Sequence, residues 1–274
     1  MHTLYAARVD PAGNTEAQVQ SATFKIDTTR PTITASLTPA SPASTGWYNQ
    51  NTGAPTVSFT CGDATSSIPA GTCPAAYTFP DGANQRYTAS VSDNAGNRAA
   101  AGVGRAGVGS AGAGKSGNSG INVDLSPPTV TYSGNPGSYT VDQQVQITCD
   151  ATDATSGVAS NTCQNISGPA YSFGLGSHRY SASATDKAGN VGSNSMKFTI
   201  TVTPSSLQSL INRFCTDPSV VASLDQDVAN IAHASKANAK TGRLQGFTHL
   251  VQAQTGKSLT SDQAKVLITL ANAL

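Results

Sequence analysis

One pentapeptide constrains this chain more than any other feature. Asp-x-Ala-Gly-Asn occurs three times, at residues 10–14, 93–97 and 186–190. The stretches before it, HTLYAARV, QRYTASVS and HRYSASAT, also match one another, and after each copy comes a second apolar run containing Phe24, Ile121 or Phe198. Self-similarity of this kind marks a repeat architecture, and it must be read before any local pattern. Within each copy, Asp can hydrogen-bond its own backbone two residues on, and Gly tolerates positive φ. The pentapeptide is therefore expected to be the turn joining the last two strands of a unit.

The periodicity around these turns is two. Val57, Phe59 and Cys61 share one face, as do Val145, Ile147 and Cys149, and again Phe198, Ile200 and Val202. Such alternation predicts half-buried antiparallel strands. Several short strands per unit, broken by Gly, Pro, Asn and Asp, predict a β-sandwich. After Pro204 the period becomes 3.6. Leu207, Leu210, Ile211 and Phe214 form one stripe, Val221, Leu224, Val228 and Ile231 a second, Leu244, Phe247 and Val251 a third, and Ala264, Leu267, Ile268, Ala271 and Leu274 a fourth. Asp217-Pro218 and the capping box from Thr260 to Gln263 mark two helix starts. The expected fold class is all-β sandwiches in tandem followed by a small all-α bundle. The expected divisions are 1–28, the last two strands of a truncated repeat; 29–125, a full repeat with a Gly/Ala-rich insert at about 98–120; 126–203, a second full repeat; and 204–274, the helical domain. Two strands alone cannot bury a core, so the chain is expected to continue upstream of Met1, with any signal peptide outside this fragment.

Gly46-Trp47-Tyr48-Asn49, Val57-x-Phe59-x-Cys61-x-Asp63, Cys73-Pro74 and the Asp93 turn together resemble the extracellular Ig-like repeats of bacterial tandem arrays. The second unit matches with Tyr139, Val145, Ile147, Cys149, Asp153 and Cys163 but has no Trp. In the tail, Phe247-x-x-Leu250-Val251-x-Ala253-Gln254-x-Gly256-Lys257-x-Leu259-Thr260 resembles the FIMAH-type helical module of secreted bacterial proteins. These resemblances imply a non-catalytic module of a secreted or cell-surface protein: a repeat stalk or spacer with a helical terminal domain. Its partners would be other repeats of the same chain, an extracellular glycan or a cell-surface protein. Two alternatives are the accessory tail of a secreted polysaccharide-active enzyme and a calcium-dependent adhesin.

The five cysteines fit an oxidising compartment. Cys61 with Cys73, and Cys149 with Cys163, recur at the same place in two repeats, which predicts two disulfides and leaves Cys215 as a free thiol. A zinc framework would favour closer Cys pairs than these. Charged residues make up only 11% of the chain and the net charge is +1, so no basic surface for nucleic acid is expected. No apolar run is long enough to span a membrane.

For chemistry, the sequence offers little. A P-loop match at residues 109–116 and a G-x-G-x-x-G match at 102–107 lie in Gly/Ala-rich sequence lacking the strand and helix that phosphate binding needs. No nucleophile–base set is visible, so no catalytic residue and no organic cofactor is expected. The one metal reading concerns the loop aspartates. In a sandwich, Asp63 would approach Asp93, and Asp153 would approach Asp186, at one pole of each repeat. Carboxylates so placed could hold calcium, or each could simply cap its own turn. Asp150 belongs to the same test. Trp47 with Tyr48 could stack a sugar or line the core, and His2 and His178 occupy equivalent positions that suggest a structural role.

Overall fold

A computed structural model describes residues 1–104 and 120–274. The P-loop match lies outside the described residues, as does all of the second motif after Gly104. The chain forms two compact units. The first comprises residues 1–127 together with two loops from further along, 153–157 and 186–190. The second comprises 128–152, 158–185 and 191–274.

The first unit opens with a hairpin of β1 (His2–Ala6) and β2 (Gln20–Phe24), paired from His2 opposite Phe24 to Ala6 opposite Gln20. All its side chains are exposed, which fits two strands lacking a facing sheet. Next come β3 (Thr32–Thr38), β4 (Thr56–Gly62) and β5 (Tyr77–Thr78), which form one antiparallel sheet. β6 (Gly82–Gln85) pairs with β9 (Ile121–Val123), and β7 (Tyr87–Ser92) with β8 (Arg98–Val103). The core collects the alternating apolar positions of these strands: Ile33 and Ala35, Val57, Val91, Ala101 with Val103, and Val123, closed by Tyr48 and Phe79. Burying these side chains is worth roughly 1.5–3 kcal/mol for each large one, and the Cys61–Cys73 disulfide adds a covalent tie.

The second unit begins with β10 (Thr129–Ser133), β11 (Ser138–Thr140), β12 (Gln144–Thr152), β13 (Val158–Asn161) and β14 (Ile166–Pro169). A 3-10 turn at Ala170–Phe173 leads to β15 (Gly176–Asp186) and β16 (Val191–Thr201). One sheet runs β10-β12-β14 and the other β11-β16-β15-β13, with β11 parallel to β16. Val145 and Ile147 of the first sheet and Tyr139, Phe198 and Ile200 of the second enter one core, the arrangement expected of a β-sandwich. The Cys149–Cys163 disulfide is formed, as anticipated.

Four helices follow: α1 (Pro204–Phe214), α2 (Pro218–Ala232), α3 (Ala237–Gln254) and α4 (Ser261–Ala271). Thr203 and Thr260 make capping boxes, and Asp217 accepts the Ser219 N–H ahead of Pro218. The buried stripes are largely those expected. However, Val220 is buried where Val221 is only half-buried, and Leu270 takes the inward place expected of Ile268. The helical core is continuous with that of β12 and β16. Tyr171 meets Phe214 edge-on at 5.3 Å, and Arg213 donates to the Asp142 carbonyl.

The Gly/Ala insert differs from the sequence expectation. Residues 98–103, assigned to the insert from the sequence, form the strand β8, which pairs with β7 along its length. Tyr87 opposite Val103 corresponds to Tyr180 opposite Met196, and Gln85 opposite Ile121 to His178 opposite Phe198. Val103 and Ile121 therefore take the places of Met196 and Phe198, which Lys197 alone separates in the second repeat. Small residues hid the strand: Ala99, Ala100 and Ala101 carry no β-branched or aromatic signal.

Candidate metal centres

Two aspartate triads occupy equivalent places. Asp27, Asp63 and Asp93 form one, and Asp124, Asp153 and Asp186 the other. In each triad, one ligand oxygen per residue lies within 4.8 Å of the others. All six residues belong to the first unit.

The local folding that creates them is the same twice. Asp63 follows β4, and its Oδ1 accepts from the N–H groups of Thr65, Ser66 and Ser67 at 3.0, 2.8 and 3.1 Å. Asp153 follows β12, and its Oδ1 accepts from Thr155, Ser156 and Gly157 at 3.2, 2.9 and 2.7 Å. Asp93, just after β7, accepts on Oδ1 from Ala95 and Asn97, and on Oδ2 from the Asn97 side chain. Asp186 accepts from the Asn190 N–H and side chain at 2.8 and 2.9 Å. Gly96 and Gly189 sit at φ of 92° and 93°, so the pentapeptide needs its glycine. Its last residue has a second task. Asn97 Nδ2 donates to the Asp27 carbonyl at 3.1 Å, and Asn190 Nδ2 to the Asp124 carbonyl at 2.9 Å. The pentapeptide thus holds the segment that carries the third aspartate.

The sequence pairing of Asp63 with Asp93 and of Asp153 with Asp186 is what the structure brings together. Asp27 and Asp124 were missed. The available signal was their common place in the segments Asp27-x-x-x-Pro31 and Asp124-x-x-x-Pro128. Asp150 joins neither triad; its Oδ1 accepts the Ala151 N–H.

Three carboxylates this close repel one another unless a cation or protons intervene. Backbone donors take up part of the charge. Burial pushes Asp93 upward, but the hydrogen bonds from Asn97, Ala95 and Gly96 outweigh it and hold the carboxyl below its ordinary range. Asp93 is therefore a carboxylate at neutral pH. The turn-capping reading is thus also correct, for each loop aspartate, but it does not use all the oxygens. Asp27 is the telling case: Oδ1 accepts the Thr29 N–H at 2.8 Å, while Oδ2 is buried with no hydrogen-bond partner. Such an atom is costly without a partner. An all-oxygen donor set suits a hard cation such as calcium or magnesium and not zinc.

The other candidates resolve into packing. Tyr48 is buried and donates to the Pro39 carbonyl at 3.1 Å, and Trp47 is half-buried beside it. His2 stacks on Phe24, and His178 lies against Phe173 and Phe198. Cys215 is a buried free thiol, with Sγ 3.4 Å from Ser258 Oγ. No helix among the described residues is long and apolar enough to cross a membrane.

No family model matches the chain, and no curated protein matches it. One solved structure that it is similar to is described as a Ca2+-stabilized adhesin that helps an Antarctic bacterium reach out and bind ice. The identity is 19%, over 73% of this chain and 56% of that one, with a TM-score of 0.27. The chain therefore spans little more than half of that structure's length, and an overlap this low assigns neither fold nor function.

Proposed function

We propose that this chain is a non-catalytic, extracellular module of tandem Ig-like repeats ending in a FIMAH-type helical domain, and that divalent cations, calcium foremost, lock its repeat boundaries. The observation that carries the reading is the recurrence of one triad at two boundaries, with a buried, unpartnered oxygen on Asp27. In each triad one carboxylate comes from the segment that ends a sequence repeat, and two come from loops of the next. Asp27, Asp63 and Asp93 would hold one ion, and Asp124, Asp153 and Asp186 the other. Bound calcium would neutralise the three charges and tie the linker to both loops. Two disulfides support an oxidising, extracellular setting. On this reading the protein spaces or presents other domains and works as a calcium-dependent adhesive scaffold.

The test is thermal melting in calcium against melting in chelator. A ligand that binds only the folded state at about 100 times its Kd stabilises by about 2.7 kcal/mol per site. The expected result is a calcium-dependent rise in Tm that magnesium reproduces weakly. An unchanged Tm across millimolar calcium would defeat the proposal.

A further inference from the structure

A cavity of about 280 Å³ opens in the second unit. One strand position near it differs between the repeats. Phe79 N–H donates to the Pro55 carbonyl, and Ala170 N–H donates to the Gln143 carbonyl. Val57 faces Tyr77, and Val145 faces Gly168. The register is the same, so Gly168 stands where the first repeat has Tyr77, and Tyr180 stands where it has Tyr87. In the first repeat Tyr77 lies flat on Tyr87, at 4.3 Å between centroids and 9° between planes, and covers that ring. In the second repeat Gly168 carries no ring; Phe173 lies 3.5 Å from where a Cβ on Gly168 would stand, and it is Phe173 that lines the cavity. Phe198 stacks on Tyr180 at 5.8 Å, and Tyr180 also lines the cavity.

The rest of the lining has a definite chemistry. Tyr132 and Phe173 add ring surface, while the amides of Gln164 and Asn165 and the hydroxyl of Ser181 add donors and acceptors. No acid, lysine or arginine lines it. The amide-bearing loop is fixed in place: the Cys149–Cys163 disulfide anchors it, and Asn165 Oδ1 accepts the Cys149 N–H at 3.0 Å. That bond leaves the Asn165 amide nitrogen as a donor of set position.

Ring faces together with neutral amides and hydroxyls match a molecule that has apolar C–H faces, many hydroxyls and no charge. The volume is at the small end for ligand sites, so it takes one ring of a chain rather than a long segment. We infer that this cavity is a binding site for one pyranose unit of a neutral glycan, formed by Tyr132, Phe173 and Tyr180 with Gln164 and Asn165. The site is independent of the aspartate triads, none of which lines it.

Saturation-transfer NMR on the intact chain would test this, using cellotriose, maltotriose, chitotriose and mannotriose as probes, first in calcium and then in chelator. At least one should bind saturably in the millimolar range under conditions where the fold is intact. Gln164→Ala removes an exposed amide and should weaken binding about tenfold, as expected for one lost hydrogen bond. Ser167→Trp, at an exposed strand position lining the cavity, should abolish binding without changing Tm. The assignment is overturned if no neutral trisaccharide binds, if Ser167→Trp binds as well as the parent, or if trigalacturonate is preferred over every neutral probe.

Discussion

Replacing Asp27 by asparagine should make the protein more stable without calcium and less responsive to it. The ligand oxygens of Asp27, Asp63 and Asp93 lie within 4.8 Å of one another. At that separation two unit charges repel by about 0.9 kcal/mol at the dielectric constant of water, and by about 3.5 kcal/mol at an effective value of 20. Asp27 takes part in two such pairs, so neutralising it removes about 2 kcal/mol even under full aqueous screening. The amide is nearly isosteric. Its oxygen can keep the Thr29 N–H bond, and its nitrogen replaces the buried, unpartnered Oδ2 with a donor in a residue grouped with two other carboxylates. Urea unfolding in chelator should give a gain of about 2 kcal/mol, worth several degrees in Tm for a unit of this size. In saturating calcium the ranking should reverse, because the variant has lost a charged ligand. A variant less stable than the parent in chelator would refute the reasoning, since it would mean that Oδ2 is not an uncompensated charge in the calcium-free fold.

Three further predictions follow from particular residues. Cys149→Ser with Cys163→Ser opens a loop spanning 14 residues, which should cost about 3 kcal/mol in the chain-entropy model, read by urea unfolding. Leu224→Ala, fully buried in α2, should cost about 2–5 kcal/mol in the same assay. The hydrogen-bonded Asp93 has a folded pKa below its unfolded one. Its contribution to stability is therefore full above the ordinary aspartate range and is lost as pH falls below that range. In chelator, Asp93→Asn should accordingly flatten the acid limb of a Tm-against-pH curve, and an unchanged limb would deny the shift.

Much of this was legible in the sequence, for identifiable reasons. Period-two runs such as Val145-x-Ile147-x-Cys149 became strands because one face has somewhere to be buried. The cysteines paired as expected because a pair recurs at the same place in two repeats, 12 residues apart in one and 14 in the other. Two helices start at Asp217 and Thr260, as expected, because a side-chain oxygen there satisfies free N–H groups. What was not legible depends on tertiary placement. Residues 98–103 pair as a strand because β7 offers an edge, whatever the propensity of alanine. Asp27 and Asp124 look like linker residues until Asn97 and Asn190 fix their carbonyls beside the loops. The cavity lined by Tyr132, Gln164, Phe173 and Tyr180 gathers residues far apart in sequence, and only the fold brings them together.

Isothermal titration of the chelator-treated chain with calcium chloride tests the central claim most directly. Two ions should bind per chain; Asp93→Asn should abolish one site and Asp186→Asn the other, each leaving its counterpart intact. Heats indistinguishable from dilution, or a stoichiometry that neither substitution changes, would contradict a calcium role for the two triads.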